Sequence, residues 1–369
     1  MSHSVSKPTL LMAGGTGGHI FPALAMAKLL QAQGESVVWL GSSNSMEAQN
    51  VPAAGIPFYE LSISGLRGKG KRTLLFAPFK LLASVWQAIK ILRQVKPCRV
   101  IGFGGFASGP GGLAAWLLRI PLYIHEQNAL PGMTNKSLSY LAKRVFTAFP
   151  QAFADHPKVE CVGNPVRETL LNLPPPTQRY AERTGPLRIL IIGGSLGAQV
   201  LNTTLPATLN LLPNDQLPLM RHQTGKKQFE TTQALYAPLY EKIPELHEKI
   251  TVTDFIEDMA AALSWADLVV CRAGALTLAE LAVVGVASIL VPFPFAVDDH
   301  QTHNARFLAD AGAALLLPQT QFNATSLAEL LSGNLADRRY LATMADKAFQ
   351  LASNHAGQQM LKIILKDIQ

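Results

Sequence analysis

The sequence is poor in cysteine, in acidic residues relative to basic ones, and in long apolar runs. Its three cysteines, Cys98, Cys161 and Cys271, are scattered and have no metal-site spacing. That argues against a zinc module or a disulfide scaffold, and all three are expected to be reduced core residues of a cytosolic protein. No uninterrupted apolar run approaches the roughly 20 residues of a spanning helix. Met1 to Pro8 has no long apolar core of the kind that marks a signal peptide. The expectation is a protein that is soluble or bound to a membrane face. No G-x-x-x-x-G-K-[ST] is present, which disfavours a P-loop phosphotransferase. A nicotinamide-dependent dehydrogenase would place Asp or Glu after its second strand. Here Val37-Val38-Trp39-Leu40-Gly41 runs on into Ser42-Ser43. Basic residues do not interleave with aromatics over a long face, so nucleic acid is not an expected partner. Acidic residues number 25 against 32 basic ones, a net charge of +7. That excess by itself suits an anionic partner, such as a phosphate, a lipid surface or nucleic acid, and does not choose between them.

What the chain does have is glycine at the ends of apolar runs. Leu10-Leu11-Met12-Ala13 reads as a buried strand, and Gly14-Gly15-Thr16-Gly17-Gly18-His19 follows as a tight turn. Pro22 predicts a helix start, and Ala23 to Leu30 has helical composition. A strand, a glycine turn and a helix N-terminus together offer close backbone approach and free N–H groups to a phosphate. Leu190-Ile191-Ile192-Gly193-Gly194-Ser195-Leu196-Gly197-Ala198 repeats the pattern near mid-chain. With 369 residues, the repeat predicts an α/β chain of two doubly wound, Rossmann-like domains. The expected domains are 1–163, completed by a C-terminal helix at about 348–369, and 187–347. The proline-rich segment 164–186 is expected as a linker.

Further turns punctuate both halves. Gly104-Gly105-Phe106-Ala107-Ser108-Gly109-Pro110 follows one strand, and Pro121 to Ile124 leads into His125-Glu126-Gln127-Asn128. Polar residues at the carboxyl end of a parallel strand face the ligand crevice. For His125 and Glu126, supporting hydrogen bonds are favoured over catalysis. In the second half, Arg272-Ala273-Gly274-Ala275 opens a helix, and Glu280 lies about one turn in. A carboxylate there suits a ribose diol. Asp298, Asp299, His300 and His303 lack zinc spacing and read as a sugar-binding polar loop. His19 is the candidate general base. A basic glycine loop around Lys69 and Lys71 precedes an apolar, lysine-dotted helix with Leu75, Phe79 and Trp86. It reads either as a core helix with solvated charges or as a surface for an anionic bilayer.

Eight of these stretches occur in one order. They are the turn ending at His19, Ser64 to Gly70, Gly104 to Pro110, His125 to Asn128, Gly163 to Arg167, Gly193 to Ala198, Arg272 to Thr277, and Asp299-His300-Gln301. Together they resemble the bacterial peptidoglycan N-acetylglucosaminyltransferases that convert lipid I to lipid II. The resemblance implies a GT-B fold, two Rossmann-like domains facing a cleft. It implies inverting transfer of GlcNAc from UDP-GlcNAc to the C4 hydroxyl of the muramoyl sugar on undecaprenyl pyrophosphate, with no bound metal or cofactor. It implies His19 as the base. The substrate-binding set comprises Thr16, Gly17, Gly18, Asn128, Arg167, Ser195, Ile256, Ala275, Leu276, Thr277, Leu278, Ala279, Glu280 and Gln301. In that set Ile256 contacts uracil through its backbone and Glu280 contacts the ribose. Gly104 and Gly105, with the Thr16-Gly17-Gly18 turn, face the acceptor pyrophosphate. Lys69, Lys71, Leu75, Phe79 and Trp86 dock on anionic phospholipid at the cytoplasmic face of the inner membrane. Proteins of the cell-wall and division machinery are implied partners. Another GT-B glycosyltransferase, a UDP-GlcNAc 2-epimerase and a non-catalytic nucleotide-binding protein are the competing readings.

Overall fold

The computed structural model describes residues 7–63, 77–154, 156–194 and 196–367. The chain divides into two compact units. One contains Met1–Arg167 with His355–Gln369, and the other Glu168–Asn354.

The first unit is built on strands β1 (Thr9–Met12), β2 (Val37–Ser42), β3 (Phe58–Leu61), β4 (Arg99–Gly102), β5 (Leu122–Glu126), β6 (Arg144–Thr147) and β7 (Val159–Cys161). They form one sheet in the order β3-β2-β1-β4-β5-β6-β7, with every described pairing parallel. A parallel sheet is covered on both faces, which is why its central strands read as continuous apolar runs. Leu10 and Met12 enter one apolar layer and Leu11 and Ala13 the other. The C-terminal helix Ala356–Lys366 belongs to this unit: Met360, Leu361 and Ile364 join the core beside Ile20, Ala23 and Ala27. Asp367, just beyond it, accepts hydrogen bonds from the Arg144 guanidinium, each 3.2 Å long.

The second unit has strands β8 (Arg188–Ile192), β9 (Leu219–Gln223), β10 (Ile250–Thr253), β11 (Leu268–Cys271), β12 (Ala287–Leu290) and β13 (Leu315–Leu316). Their order is β10-β9-β8-β11-β12-β13, and the pairings are again parallel.

Three expectations need correction. The first helix runs Gly17–Ala32, so Pro22 lies inside it rather than at its start. The proline forgoes only the ladder bond to the Gly18 carbonyl. Of the stretch read as a linker, 164–167 belongs to the first unit and everything from Glu168 on is built into the second. Its helix Pro176–Ala181 puts Tyr180 into the core, where the hydroxyl donates to the Asp267 carbonyl at 2.5 Å. Arg179 donates to the Val284 and Gly285 carbonyls. The cysteines are not uniformly core residues: Cys271 is buried, Cys98 half-buried and Cys161 exposed. Cys161 ends β7, the edge strand, where one side of the ladder has no neighbour among the described residues.

Candidate active site

In the first unit the strand order reverses between β1 and β4, and loops leaving the carboxyl ends of such neighbours bind ligands in doubly wound sheets. The loop after β1 ends at Thr16, the N-cap of the helix Gly17–Ala32. That helix has no side-chain cap and no acid in its first turn. Thr16 is exposed, and Gly17, Gly18 and His19 are half-buried. The loop after β4 crosses it closely. Gly105 sits at φ +86°, and a Cβ there would meet the Gly14 backbone; one at Gly104 would lie 3.1 Å from the His19 ring. These contacts bring Thr16, Gly17, Gly18, His19, Gly104 and Gly105 into one place. Beneath the loop, Glu47 takes the space an ordinary Cβ at Gly14 would need. Its buried carboxylate accepts from Gly15 N at 3.3 Å and Ser42 N at 3.1 Å. The Arg167 guanidinium lies over the Phe21 ring of the same helix, 5.3 Å from its centre.

The polar quartet after Ile124 is a support for this loop. His19 Nδ1 and Gln127 Oε1 are 2.8 Å apart. Gln127 Nε2 stands 3.1 Å from His125 Nδ1 and donates to the His125 carbonyl at 3.3 Å. His125 Nε2 lies 2.9 Å from the Gly163 carbonyl oxygen. His125 is wholly buried, and desolvation lowers its pKa to about 4, so the ring is neutral at physiological pH. Glu126 accepts from Asn128 N and Nδ2, Gly132 N and Asn135 Nδ2. Asn164 Nδ2 donates to the Gln127 carbonyl at 3.2 Å. Sequence reasoning gave His125 and Glu126 supporting roles and left Gln127 and Glu47 out. The signal for Gln127 was its place in a polar run at a strand end. Glu47 left none, because its contact is made across the strand–helix turn.

In the second unit the loop after β8 is held by Gln223. Gln223 Oε1 accepts from Gly194 N at 3.1 Å, and its Nε2 donates to Gly194 O at 3.0 Å. Ser195 lies outside the described residues. The helix Ala275–Val284 begins after β11 at the strand-order reversal, N-capped by Gly274, again with no side-chain cap and no acid in its first turn. Ala275, Leu276 and Thr277 form that turn, Leu278 and Ala279 follow, and Glu280 is buried on the next. Ile256 precedes the helix Met259–Trp265, which packs against Ala275–Val284. Gln301 is half-buried in the helix His300–Ala309, and its Oε1 accepts from Phe293 N at 2.9 Å. Arg272 donates to the Val291 and Pro292 carbonyls and stands over the Phe293 ring, so the loops bearing Ala275 and Gln301 are tied together.

Of the residues expected to meet a membrane, Phe79 and Trp86 lie on the helix Ala77–Val95 and are 70% and 56% exposed, with Leu82 at 67%. Lys69, Lys71 and Leu75 lie outside the described residues. No helix among the described residues is long and apolar enough to cross a membrane.

Comparison with known proteins places these two units in one family. The N-terminal domain of glycosyltransferase family 28 matches residues 9–147, and the C-terminal domain of that family matches residues 188–360. The UDP-N-acetylglucosamine–N-acetylmuramyl-(pentapeptide) pyrophosphoryl-undecaprenol N-acetylglucosamine transferase of Marinobacter nauticus is 49% identical, across 99% of each chain. The protein of the same name from Chromohalobacter salexigens is 54% identical, across 94% of this chain and 93% of its own. The crystal structure of Acinetobacter baumannii MurG superposes with a TM-score of 0.81 at 46% identity, covering 98% of this chain and 99% of that one. Two Rossmann-like units of this kind in one chain are the GT-B architecture, and the protein is a member of glycosyltransferase family 28, within its UDP-N-acetylglucosamine–N-acetylmuramyl-(pentapeptide) pyrophosphoryl-undecaprenol N-acetylglucosamine transferases.

Proposed function

We propose that the protein transfers GlcNAc from UDP-GlcNAc to the C4 hydroxyl of the muramoyl sugar of undecaprenyl-pyrophosphoryl-MurNAc-pentapeptide, inverting the anomeric centre. The observation that carries this reading is the agreement with relatives of that one name at about half identity over nearly the whole chain.

In this reading the second unit holds the donor. The Glu280 carboxylate accepts hydrogen bonds from the ribose diol, and the backbone of Ile256 meets the uracil. Ser195 and the Ala275-Leu276-Thr277 turn hold the diphosphate. The acceptor pyrophosphate meets the Thr16-Gly17-Gly18 and Gly104-Gly105 turns of the first unit, with Arg167 nearby, while Asn128 and Gln301 contact sugar. As the acceptor oxygen attacks the anomeric carbon, the bond from that carbon to the diphosphate breaks and its electron pair leaves with UDP. The uncapped helix start at Ala275 and the glycine-loop N–H groups stabilise the growing negative charge. His19 takes the hydroxyl proton. The reading assigns no resident cofactor, because these groups supply the charge stabilisation. Phe79, Leu82 and Trp86, with Lys80 and Lys90 on the same helix, dock on an anionic leaflet. The protein then works peripherally on the cytoplasmic face of the inner membrane, where its lipid-linked acceptor lies.

The test is UDP release from UDP-GlcNAc with and without a lipid I analogue, in the presence of EDTA. Release that needs the acceptor and survives chelation is expected. His19→Ala should lower kcat by about 10² to 10⁴, and Glu280→Ala should weaken donor binding. Release without acceptor, or formation of ManNAc, would make the protein a hydrolase or an epimerase instead.

A further inference from the structure

Gln127 has no place in the reading above, yet it joins His19 to a buried chain of hydrogen bonds whose proton positions are determined at both ends. One end is the Gly163 carbonyl oxygen, which can only accept, so the His125 Nε2 beside it carries the hydrogen. A neutral imidazole protonated at Nε2 has a lone pair at Nδ1. That lone pair faces Gln127 Nε2, an amide nitrogen that can only donate. The same amide nitrogen also donates to the His125 carbonyl, which fixes the amide's orientation from a second side. Gln127 Oε1 is therefore the atom turned toward His19, and as a carbonyl oxygen it can only accept. His19 Nδ1 must carry a hydrogen. Among the described residues, His19 Nε2 makes no hydrogen bond.

We propose that Gln127 is a positioning residue that, with His125 behind it, holds neutral His19 as the Nδ1–H tautomer and leaves the Nε2 lone pair to accept the acceptor hydroxyl proton. The inference deepens the function proposed above and rests on it for the reaction that His19 serves. An unconstrained histidine side chain favours the opposite tautomer, with hydrogen on Nε2, which has no lone pair to offer there. When Nε2 takes the proton, the Nδ1–H bond to Gln127 persists, so the transfer requires no rearrangement of the amide. The other charged groups around this loop are Glu47 beneath Gly14 and Gly15, Glu126 at the end of β5, and Arg167 over Phe21. Glu126 is taken up by Asn128, Gly132 and Asn135. The chain from Gly163 through His125 and Gln127 is what reaches Nδ1.

The experiment combines imidazole ¹⁵N spectra of the whole protein with the pH profile of transfer to a lipid I analogue, for wild type, Gln127→Met and Gln127→Glu. In wild type, neutral His19 should show a protonated Nδ1 and an unprotonated Nε2. Gln127→Met should shift the population toward Nε2–H and lower kcat by about tenfold, with KM for both substrates unchanged. Gln127→Glu restores an acceptor at Nδ1 and adds a negative charge. It should recover the Nδ1–H tautomer and move the acid limb of the profile up by about one pH unit. A wild-type spectrum with the hydrogen on Nε2, or a Gln127→Met variant with unchanged tautomer and unchanged kcat, would overturn the proposal. The spectra need no acceptor. If wild type transfers nothing to the lipid analogue, the functional reading fails while the tautomer is still decided by the nitrogen signals.

Discussion

Gly105 shows how little freedom single residues have where the two glycine loops of the first unit cross. Its φ of +86° is a backbone conformation that L side chains rarely adopt, and a Cβ there would run into the Gly14 backbone. Neither obstacle is the far end of a flexible side chain, so neither is easily moved. Gly105→Ala should destabilise the first unit by about 1 to 3 kcal/mol. It should also displace the His19 loop and reduce transfer, while UDP-GlcNAc titration still reports binding by the second unit. Thermal unfolding with and without UDP-GlcNAc checks both halves of that statement. Gly15 provides the contrast, since at φ +93° it has nothing within 4 Å of a built Cβ. Gly15→Ala should cost only the backbone strain.

At the scale of elements, the helix Ala77–Val95 presents Phe79, Leu82 and Trp86 to solvent while Val85, Ala88 and Leu92 enter the core. Lys90 Nζ stands 5.8 Å from the Trp86 ring centre, a cation beside an exposed aromatic. Each exposed apolar side chain that enters a bilayer contributes on the order of 1 to 3 kcal/mol. The double variant Phe79→Ser with Trp86→Ser should therefore lose most of its binding to anionic vesicles in a sedimentation assay. Its turnover of a water-soluble acceptor analogue should hold. Equal sedimentation of variant and wild type would sink the docking role of this helix. Elements of this sort were legible in the sequence because they carry period and sign. β1 and β8 were read from apolar runs that a parallel sheet buries on both faces. The start of the first helix was not legible, because Gly17 and Gly18 resemble loop residues, and what enrols them is backbone bonding, with His19 N and Ile20 N donating to the Thr16 carbonyl at 3.1 and 3.2 Å. The segment around Pro176 was misread for a related reason. Its prolines signal a break, but Tyr180, Arg179 and Arg183 find buried acceptors at Asp267, Val284 and Ala266 that no local pattern announces. The same limit hid Gln127 and Glu47, whose partners lie 108 and 32 residues away along the chain.

At the scale of the whole molecule, each unit carries a buried neutral histidine that couples its folding to protons. His125 is held at a pKa of about 4 in the first unit and His222 at about 3 in the second, both by desolvation. His222 Nε2 donates to Asn202 Oδ1 at 3.0 Å, and its Nδ1 accepts from the Tyr236 hydroxyl at 2.7 Å, so both ring nitrogens are used in the neutral form. In the unfolded chain these rings titrate near the ordinary value of 6.5. Below that pH the unfolded chain binds protons that the folded units refuse. The stability these two rings contribute is therefore full above about pH 6.5 and falls as pH drops, the His125 share levelling near 4 and the His222 share lower. Each histidine contributes a slope approaching about 1.4 kcal/mol per pH unit. Asp367 enters only at the acid end. The Arg144 hydrogen bond lowers its pKa below 3.8, so the stability it adds is present above that pH and lost as pH falls through its folded value. His222→Gln keeps a donor and an acceptor but cannot titrate. Hydrogen exchange on peptides from β8 and β9, followed between pH 7 and about 4.5, should show a second unit that is less stable at neutral pH but loses less on acidification. The first unit, with His125 intact, should keep the wild-type slope. Parallel slopes for the second unit in variant and wild type would mean that His222 is not the group that couples its folding to protons.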